Sequence, residues 1–208
     1  MNKINYDAEM KKTVESFSGE KPKLLLHACC APCSSAVLER LVGDFSVDVF
    51  YFNPNITESE EYNMRLGEER RYIKEVYGDA VGIIAGRYRS VEFFEIAEGC
   101  EKEPEGGKRC EKCFYLRLTE TAKYAKENGY DYFCTTLTVS PHKNAELINA
   151  IGAEVGEKYG VKFLPSDFKK QGGFLRSVKL SEEHGLYRQN YCGCIYSKYA
   201  HLPSEGEN

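Results

Sequence analysis

Lys23-Leu-Leu-Leu-His27, followed by Ala28-Cys29-Cys30-Ala31-Pro32-Cys33-Ser34, is the stretch that decides the fold. A short, uninterrupted apolar run predicts a buried strand. A tight cysteine loop closes it, and Ser34 and Ser35 are placed to cap a helix whose Val37, Leu38 and Leu41 have helical spacing. Gly43 ends that helix. Residues 47–52 give a second strand, stopped by Asn53-Pro54-Asn55. Further on, the pattern predicts a long charged helix over 57–77, a strand at 82–85 and a short helix at 91–97. A Gly-, Glu- and Pro-rich loop over 99–108 leads to a helix over 110–127 and a strand at 132–136. Ser140-Pro141 reads as the start of a helix over 142–159, before a last strand at 161–164. Strands alternating with helices predict one α/β domain over 1–208. Its architecture is a three-layer sandwich with a mostly parallel, Rossmann-like sheet. The cysteine loop, Asn53-Pro54-Asn55 and the segment after the fourth strand all follow strand ends, so they gather at one edge, where such sheets bind ligands.

Composition narrows the class. The chain has 208 residues, 42% hydrophobic and 29% charged, which fits a soluble globular protein rather than a disordered one. No apolar run approaches the ~20 residues of a membrane helix. The amino-terminal 20 residues lack the apolar core of a secretory signal, so the expected compartment is cytoplasmic, with no membrane partner. The net charge of −4 argues against a wholly basic surface, but the charge is uneven. From 161 to 200 there are seven Lys or Arg (Lys162, Lys169, Lys170, Arg176, Lys179, Arg188 and Lys198) against three acids. A second basic cluster holds Lys108, Arg109, Lys112 and Arg117. Solvated surface explains any single lysine. Both clusters, however, run into cysteine motifs, where phosphates held by these cations would lie beside reactive sulfur.

Nine cysteines are unusual for a cytosolic chain of this size, and they point to metal or redox chemistry. Seven fall into three motifs: Cys29-Cys30-x-x-Cys33, Cys110-x-x-Cys113 and Cys192-Gly193-Cys194. A C-x-x-C spacing lets two thiolates converge on one centre, and Gly193 permits a sharp turn. Seven thiolates exceed the four that one zinc ion or one [4Fe-4S] cluster takes. The surplus predicts two centres, or a cluster with free thiols, and Cys29 and Cys30, being adjacent, are not expected to face the same ion. A zinc site, a thiol–disulfide pair and an iron–sulfur cluster all remain open on these grounds. Cys100 and Cys134 stand outside the motifs and read as structural. His27, at a strand end, reads as a hydrogen-bonding residue, and His142 and His184 as surface residues. Tyr187, Tyr191 and Tyr196 read as packing. Asp167, after the last strand, is the carboxylate singled out, as a helix cap or as a metal ligand or proton donor.

Together these motifs resemble the QueH family of cobalamin-independent epoxyqueuosine reductases. The resemblance is carried by His27-Ala-Cys-Cys-Ala-Pro-Cys33, Tyr51-Phe-Asn-Pro-Asn-Ile56, Glu61-Tyr62 and Glu103-Pro-Glu-Gly-Gly-Lys-Arg-Cys110-Glu-Lys-Cys113. It continues through Thr135-Thr-Leu137, Ser140, Lys143-Asn144, Asp167-Phe-Lys169 and Tyr191-Cys-Gly-Cys-Ile-Tyr-Ser197. It implies a HUP-type fold and the last step of queuosine biosynthesis, in which a tRNA wobble base loses an epoxide oxygen as water. It also implies a [4Fe-4S] cluster and a neighbouring mononuclear iron held by Cys29, Cys30, Cys33, Cys110, Cys113, Cys192 and Cys194, without fixing which thiol serves which. An external electron donor is needed, and Asp167 or a metal-bound water would give a proton. Arg109, Lys143, Lys169, Lys170, Arg176 and Arg188 would meet the tRNA, and the segment 165–200 would close the metal site. Two rivals are a HUP-type tRNA thiolation enzyme and a zinc-stabilised RNA-binding module. The first needs a glycine-rich pyrophosphate loop where this chain has cysteines and Pro32.

Overall fold

The computed structural model describes residues 4–199. Five strands form one parallel sheet: β1 (Lys23–His27), β2 (Ser46–Tyr51), β3 (Gly82–Ala85), β4 (Tyr132–Thr135) and β5 (Lys162–Phe163). Their spatial order is β3-β2-β1-β4-β5. The helices are α1 (Tyr6–Glu15), α2 (Ala31–Leu41), α3 (Ser59–Tyr77), α4 (Ser90–Ala97), α5 (Lys108–Glu127), α6 (Ala145–Tyr159), α7 (Gly173–Glu183) and α8 (Ile195–Tyr199). Among the described residues, no helix is long and apolar enough to cross a membrane.

The unbroken leucines of β1 are explained by cover on both faces. Leu24 and Leu26 pack with Val37, Leu38 and Leu41 of α2 and with Tyr72 and Ile73 of α3. Leu25 points the other way, into Phe114, Leu118 and Ala122 of α5 and Ile148, Ile151 and Val155 of α6. The result is the expected α/β three-layer sandwich. The chain winds outward from β1 to β3, then crosses back to lay β4 on the other side of β1. The loops after β1 and β4 therefore diverge at this reversal and leave a crevice between them.

Local starts differ from the sequence expectation in two places. Ser34 and Ser35 do not cap α2, because the helix begins at Ala31, with Cys30 as its N-cap and Pro32 in its first turn. Ser140-Pro141 does not open α6. Residues Thr136–Val139 form a 3-10 turn instead, and Asn144 caps α6 by accepting from the backbone N–H of Glu146 and Leu147. The short polar side chain beside the first free amides takes the cap. Helices α1, α7 and α8 carry too few core residues to show in the pattern; α1 buries only Met10 and Asp7.

Candidate functional site

Two groups of cysteines stand at the carboxyl edge of the sheet. The first is contiguous. After β1 the backbone bends at Cys29, Cys30 is extended (φ −176°, ψ 157°), and Cys33 falls in the first turn of α2. The three sulfurs all lie within 4.8 Å of one another, and Cys29 Sγ and Cys30 Sγ are 3.8 Å apart. The expectation that adjacent cysteines face different ways is therefore corrected: the bend between strand and helix cancels the alternation that a continued strand would impose. Gln189 Nε2 donates to Cys30 Sγ at 3.0 Å. Hydrogen bonds from Cys30 and then Cys33 hold the Cys29 thiol well below its ordinary range, and Lys143 and Arg117 add to the effect. The bond with Cys29 pushes Cys30 up to about 12, and the bonds with Cys29 and Cys30 raise Cys33.

The second group is assembled from distant segments. Cys110 and Cys113 lie three residues apart in the first two turns of α5, so they share a face. The backbone N–H of Gly106 donates to Cys110 Sγ at 3.2 Å. Cys192 and Cys194 flank Gly193, whose φ of +116° favours glycine and whose place would put a Cβ 2.8 Å from Ile56 Cγ1. Arg65, buried on α3, donates through Nη1 to the Cys192 carbonyl at 3.2 Å. Thr57 N–H reaches the Gly193 carbonyl at 3.3 Å, and Ser197 N–H donates to Cys194 Sγ at 3.4 Å. Cys113 and Cys194 pack with Phe93 and Ala97 of α4. All four cysteines line a small cavity of about 20 Å³. Burial pushes Cys113 up to about 12 and raises Cys110 and Cys194.

A larger cavity of about 520 Å³ opens over the first group. Cys29, Cys30 and Cys33 form part of its wall, with Lys143, Arg188 and Arg117. Cys192 lines both cavities. Burial works against the charge on Lys143, but thiolate character at Cys192, Cys29 and Cys33 outweighs it and holds the ammonium above its ordinary pKa. The geometry can thus bring soft metal-ligating sulfur and hydrogen-bond-donating cations to one chamber.

Beneath the crevice lies a buried network that the sequence did not reveal. Arg117 Nη2 donates to Asn53 Oδ1 at 2.7 Å, and Asn53 Nδ2 donates to the Ala28 carbonyl at 2.8 Å. Arg117 Nε lies 3.2 Å from His27 Nε2, and His27 Nδ1 lies 2.9 Å from Thr135 Oγ1. Burial, and then the Arg117 charge, depress His27 to about 3, so the ring is neutral. It can accept from Arg117 when its proton sits on Nδ1. His27 is thus hydrogen-bonded, as expected of a strand-end histidine. Arg117 lies four residues beyond Cys113 on the same helix face, and that spacing was the available signal.

The expected tRNA-facing residues divide. Lys143 and Arg188 line the large cavity. Lys170 is exposed. Arg109 is corrected to an internal brace: it is buried, and Nη1 donates to the carbonyls of Cys100, Glu101 and Glu103 at 2.9, 2.9 and 2.6 Å. Those bonds hold the loop before α5, and the guanidinium lies 4.7 Å from the Tyr196 ring. Arg176 pairs with Glu39 of α2 at 2.7 Å. Asp167 pairs with Lys169 at 2.8 Å and is not among the residues lining the large cavity. Its carboxylate therefore has no direct place in that wall. Cys134 is fully buried in β4 and Cys100 is buried in the loop, both outside the two groups. Tyr191 and Tyr196 lie against Arg65 and Arg109, but Tyr191 also lines the large cavity and Tyr187 is exposed.

Comparison with known proteins gives a consistent result. A family model described as Epoxyqueuosine reductase QueH matches residues 24–200. A protein named Epoxyqueuosine reductase QueH from Streptococcus pyogenes serotype M1 is 43% identical over 200 residues, covering 94% of this chain and 78% of the relative. One of the same name from Staphylococcus epidermidis is 43% identical over 202 residues, covering 94% and 85%. Another, from Thermotoga maritima, is 38% identical over 178 residues, covering 84% and 89%.

Proposed function

The chain belongs to the epoxyqueuosine reductase QueH family, and from that membership we propose that epoxyqueuosine in tRNA is reduced in its cysteine-lined cavity. It is an oxidoreductase of queuosine biosynthesis. Two carbon–oxygen bonds of the epoxide break, an alkene forms, and the oxygen leaves as water. Two electrons from an external donor and two protons complete the balance.

The single observation that supports the site is the meeting of all three cysteine motifs around two cavities that share Cys192. The donor set fits inorganic iron chemistry, since soft thiolates favour iron–sulfur and zinc centres. The converged sulfurs of Cys29, Cys30 and Cys33 suit a single ion, and Cys110, Cys113, Cys192 and Cys194 suit a [4Fe-4S] cluster. When bound, these groups supply the electrons and a Lewis-acidic position for oxygen.

The chain's own residues bind and orient. Lys143 Nζ presents N–H donors at the cavity wall, where an oxygen gaining negative charge is stabilised. Arg188 and His142 line the cavity and, with the exposed Lys170, would take the anticodon-loop phosphates. The modified base is splayed into the cavity, as recognition of single-stranded RNA usually requires. Asp167 serves from outside the wall by fixing Lys169, which with Lys170 would offer charge to the RNA. Arg176, paired with Glu39, ties α7 to α2. The segment from 165 carries Gln189 and Cys192 to the cavity and so closes it; its last residue, 200, lies outside the described residues. A cytoplasmic location suits a tRNA substrate.

The test is anaerobic purification, iron and sulfide analysis, and incubation with epoxyqueuosine-bearing tRNA and a reductant. Iron and sulfide with formation of queuosine are expected. A colourless protein that carries zinc alone and leaves the epoxide intact would refute this reading.

A further inference from the structure

Arg117 is 1% exposed, yet its Nη1 has no hydrogen-bond partner. Its other nitrogens meet the neutral amide of Asn53 and the neutral ring of His27. A buried guanidinium without a negative partner costs several kcal/mol. Such a residue persists where an anion is due to sit. It shares a cavity wall with Cys29 and Cys192 and stands one helical turn beyond Cys113, so it neighbours one sulfur from each cysteine motif. Its place cannot drift: the network through Asn53 and His27 ties it to the carboxyl ends of β1 and β2 and, through Thr135, to β4.

Resting on the proposed function, we infer that Arg117 is the fixed counter-cation of the metal–thiolate centre and raises its reduction potential. A thiolate-bound centre becomes more negative when it accepts an electron. A rigid cation beside it stabilises the reduced form more than the oxidised form, and burial keeps water from screening the effect. Arg117 acts through the sulfurs rather than on the substrate, so it is a positioning residue. The His27–Asn53 pair holds the charge where both sulfur groups feel it.

The experiment is a redox titration, followed by optical and electron-paramagnetic-resonance signals, of anaerobically reconstituted wild type, Arg117→Gln and Arg117→Lys. Iron content and far-ultraviolet circular dichroism are measured alongside. Arg117→Gln is expected to keep the fold and the iron but to titrate at a more negative potential. Arg117→Lys loses the forked bonds yet keeps the charge, and is expected to titrate close to wild type. An unchanged potential in Arg117→Gln, or an equal shift in both variants, overturns the role. Should Arg117→Gln fail to fold, Arg117→Lys decides: a wild-type potential supports the inference, and a shifted one overturns it. Failure of both to fold makes Arg117 purely structural and also overturns it. A wild-type protein with no redox-active centre instead overturns the functional reading beneath it.

Discussion

The cysteines after β1 and those of α5 and 192–194 line two cavities that meet at Cys192 but are built in opposite ways. Cys29, Cys30 and Cys33 come from five consecutive residues between a strand and a helix, and their sulfurs converge within 4.8 Å. Cys110, Cys113, Cys192 and Cys194 come from two segments joined only by tertiary contacts, among them the packing of Cys113 and Cys194 with Phe93 and the approach of Arg109 to Tyr196. The first group holds one thiol well below its ordinary pKa, whereas burial raises three thiols of the second. A contiguous loop can organise sulfur by local geometry alone. A site gathered from distant chain needs the finished fold and, for its buried thiols, a metal to displace their protons.

The sharpest test is to remove one ligand from each group. Cys33→Ala and Cys113→Ala are each expected to lower turnover by more than about 100-fold, since even outer-shell changes at metal sites cost 10–100-fold. Iron analysis of the folded variants should show each losing a different part of the metal. Equal, complete loss of metal in both would erase the distinction between the groups. Next, Gly193→Ala should cost about 1–3 kcal/mol, the usual range for forced backbone strain, because φ is +116° and Ile56 blocks the new Cβ. Denaturant melts measure the cost, and a variant as stable as wild type would show that the turn is not constrained.

A smaller effect separates the groups in the metal-free protein. At neutral pH an alkylating reagent should reach Cys29 about tenfold or more faster than Cys113, because the thiolate is the nucleophile. Peptide mass mapping reads the order, and Cys113 reacting first would reverse the comparison. The smallest effect concerns Glu69, fully buried on α3, whose carboxyl accepts from Ser34 Oγ in the first turn of α2 beside Cys33. Burial raises Glu69 from 4.5 to about 8. Between those values the unfolded chain releases a proton that the native state keeps. Its contribution to stability is therefore complete below pH 4.5 and lost as pH rises through 8. Glu69→Gln should flatten that decline by about 1 kcal/mol per pH unit. Chemical melts across pH 5–8 measure the slope, and an unchanged slope would place the titration elsewhere. His27 acts in the opposite sense, since its depressed pKa lowers stability as pH falls from 6.5 toward 3.

What the sequence made legible follows the same division. The alternation of strands and helices, the parallel sheet and the turn directly after β1 were readable because each rests on neighbours in the chain. The convergence of Cys29 with Cys30 was not, because one bend at Cys29 decides it. Arg65, Glu69 and Arg117 look like solvated helix residues, and only the tertiary packing turns them inward. Arg109 and Arg176 mislead in the same way, since a basic cluster in sequence says nothing of which guanidinium is already occupied by carbonyls or by Glu39. Asp167 was correctly placed after the last strand, but its partner Lys169 lies two residues away and holds it aside.

Cys192 contributes to the walls of both chambers, so at that point the partition between them is one side chain thick. Under the proposed assignment, an electron held in the smaller chamber would reach the larger one past that single side chain. The contacts that latch the 192–194 turn, from Arg65 and Thr57, would then also set the length of that passage.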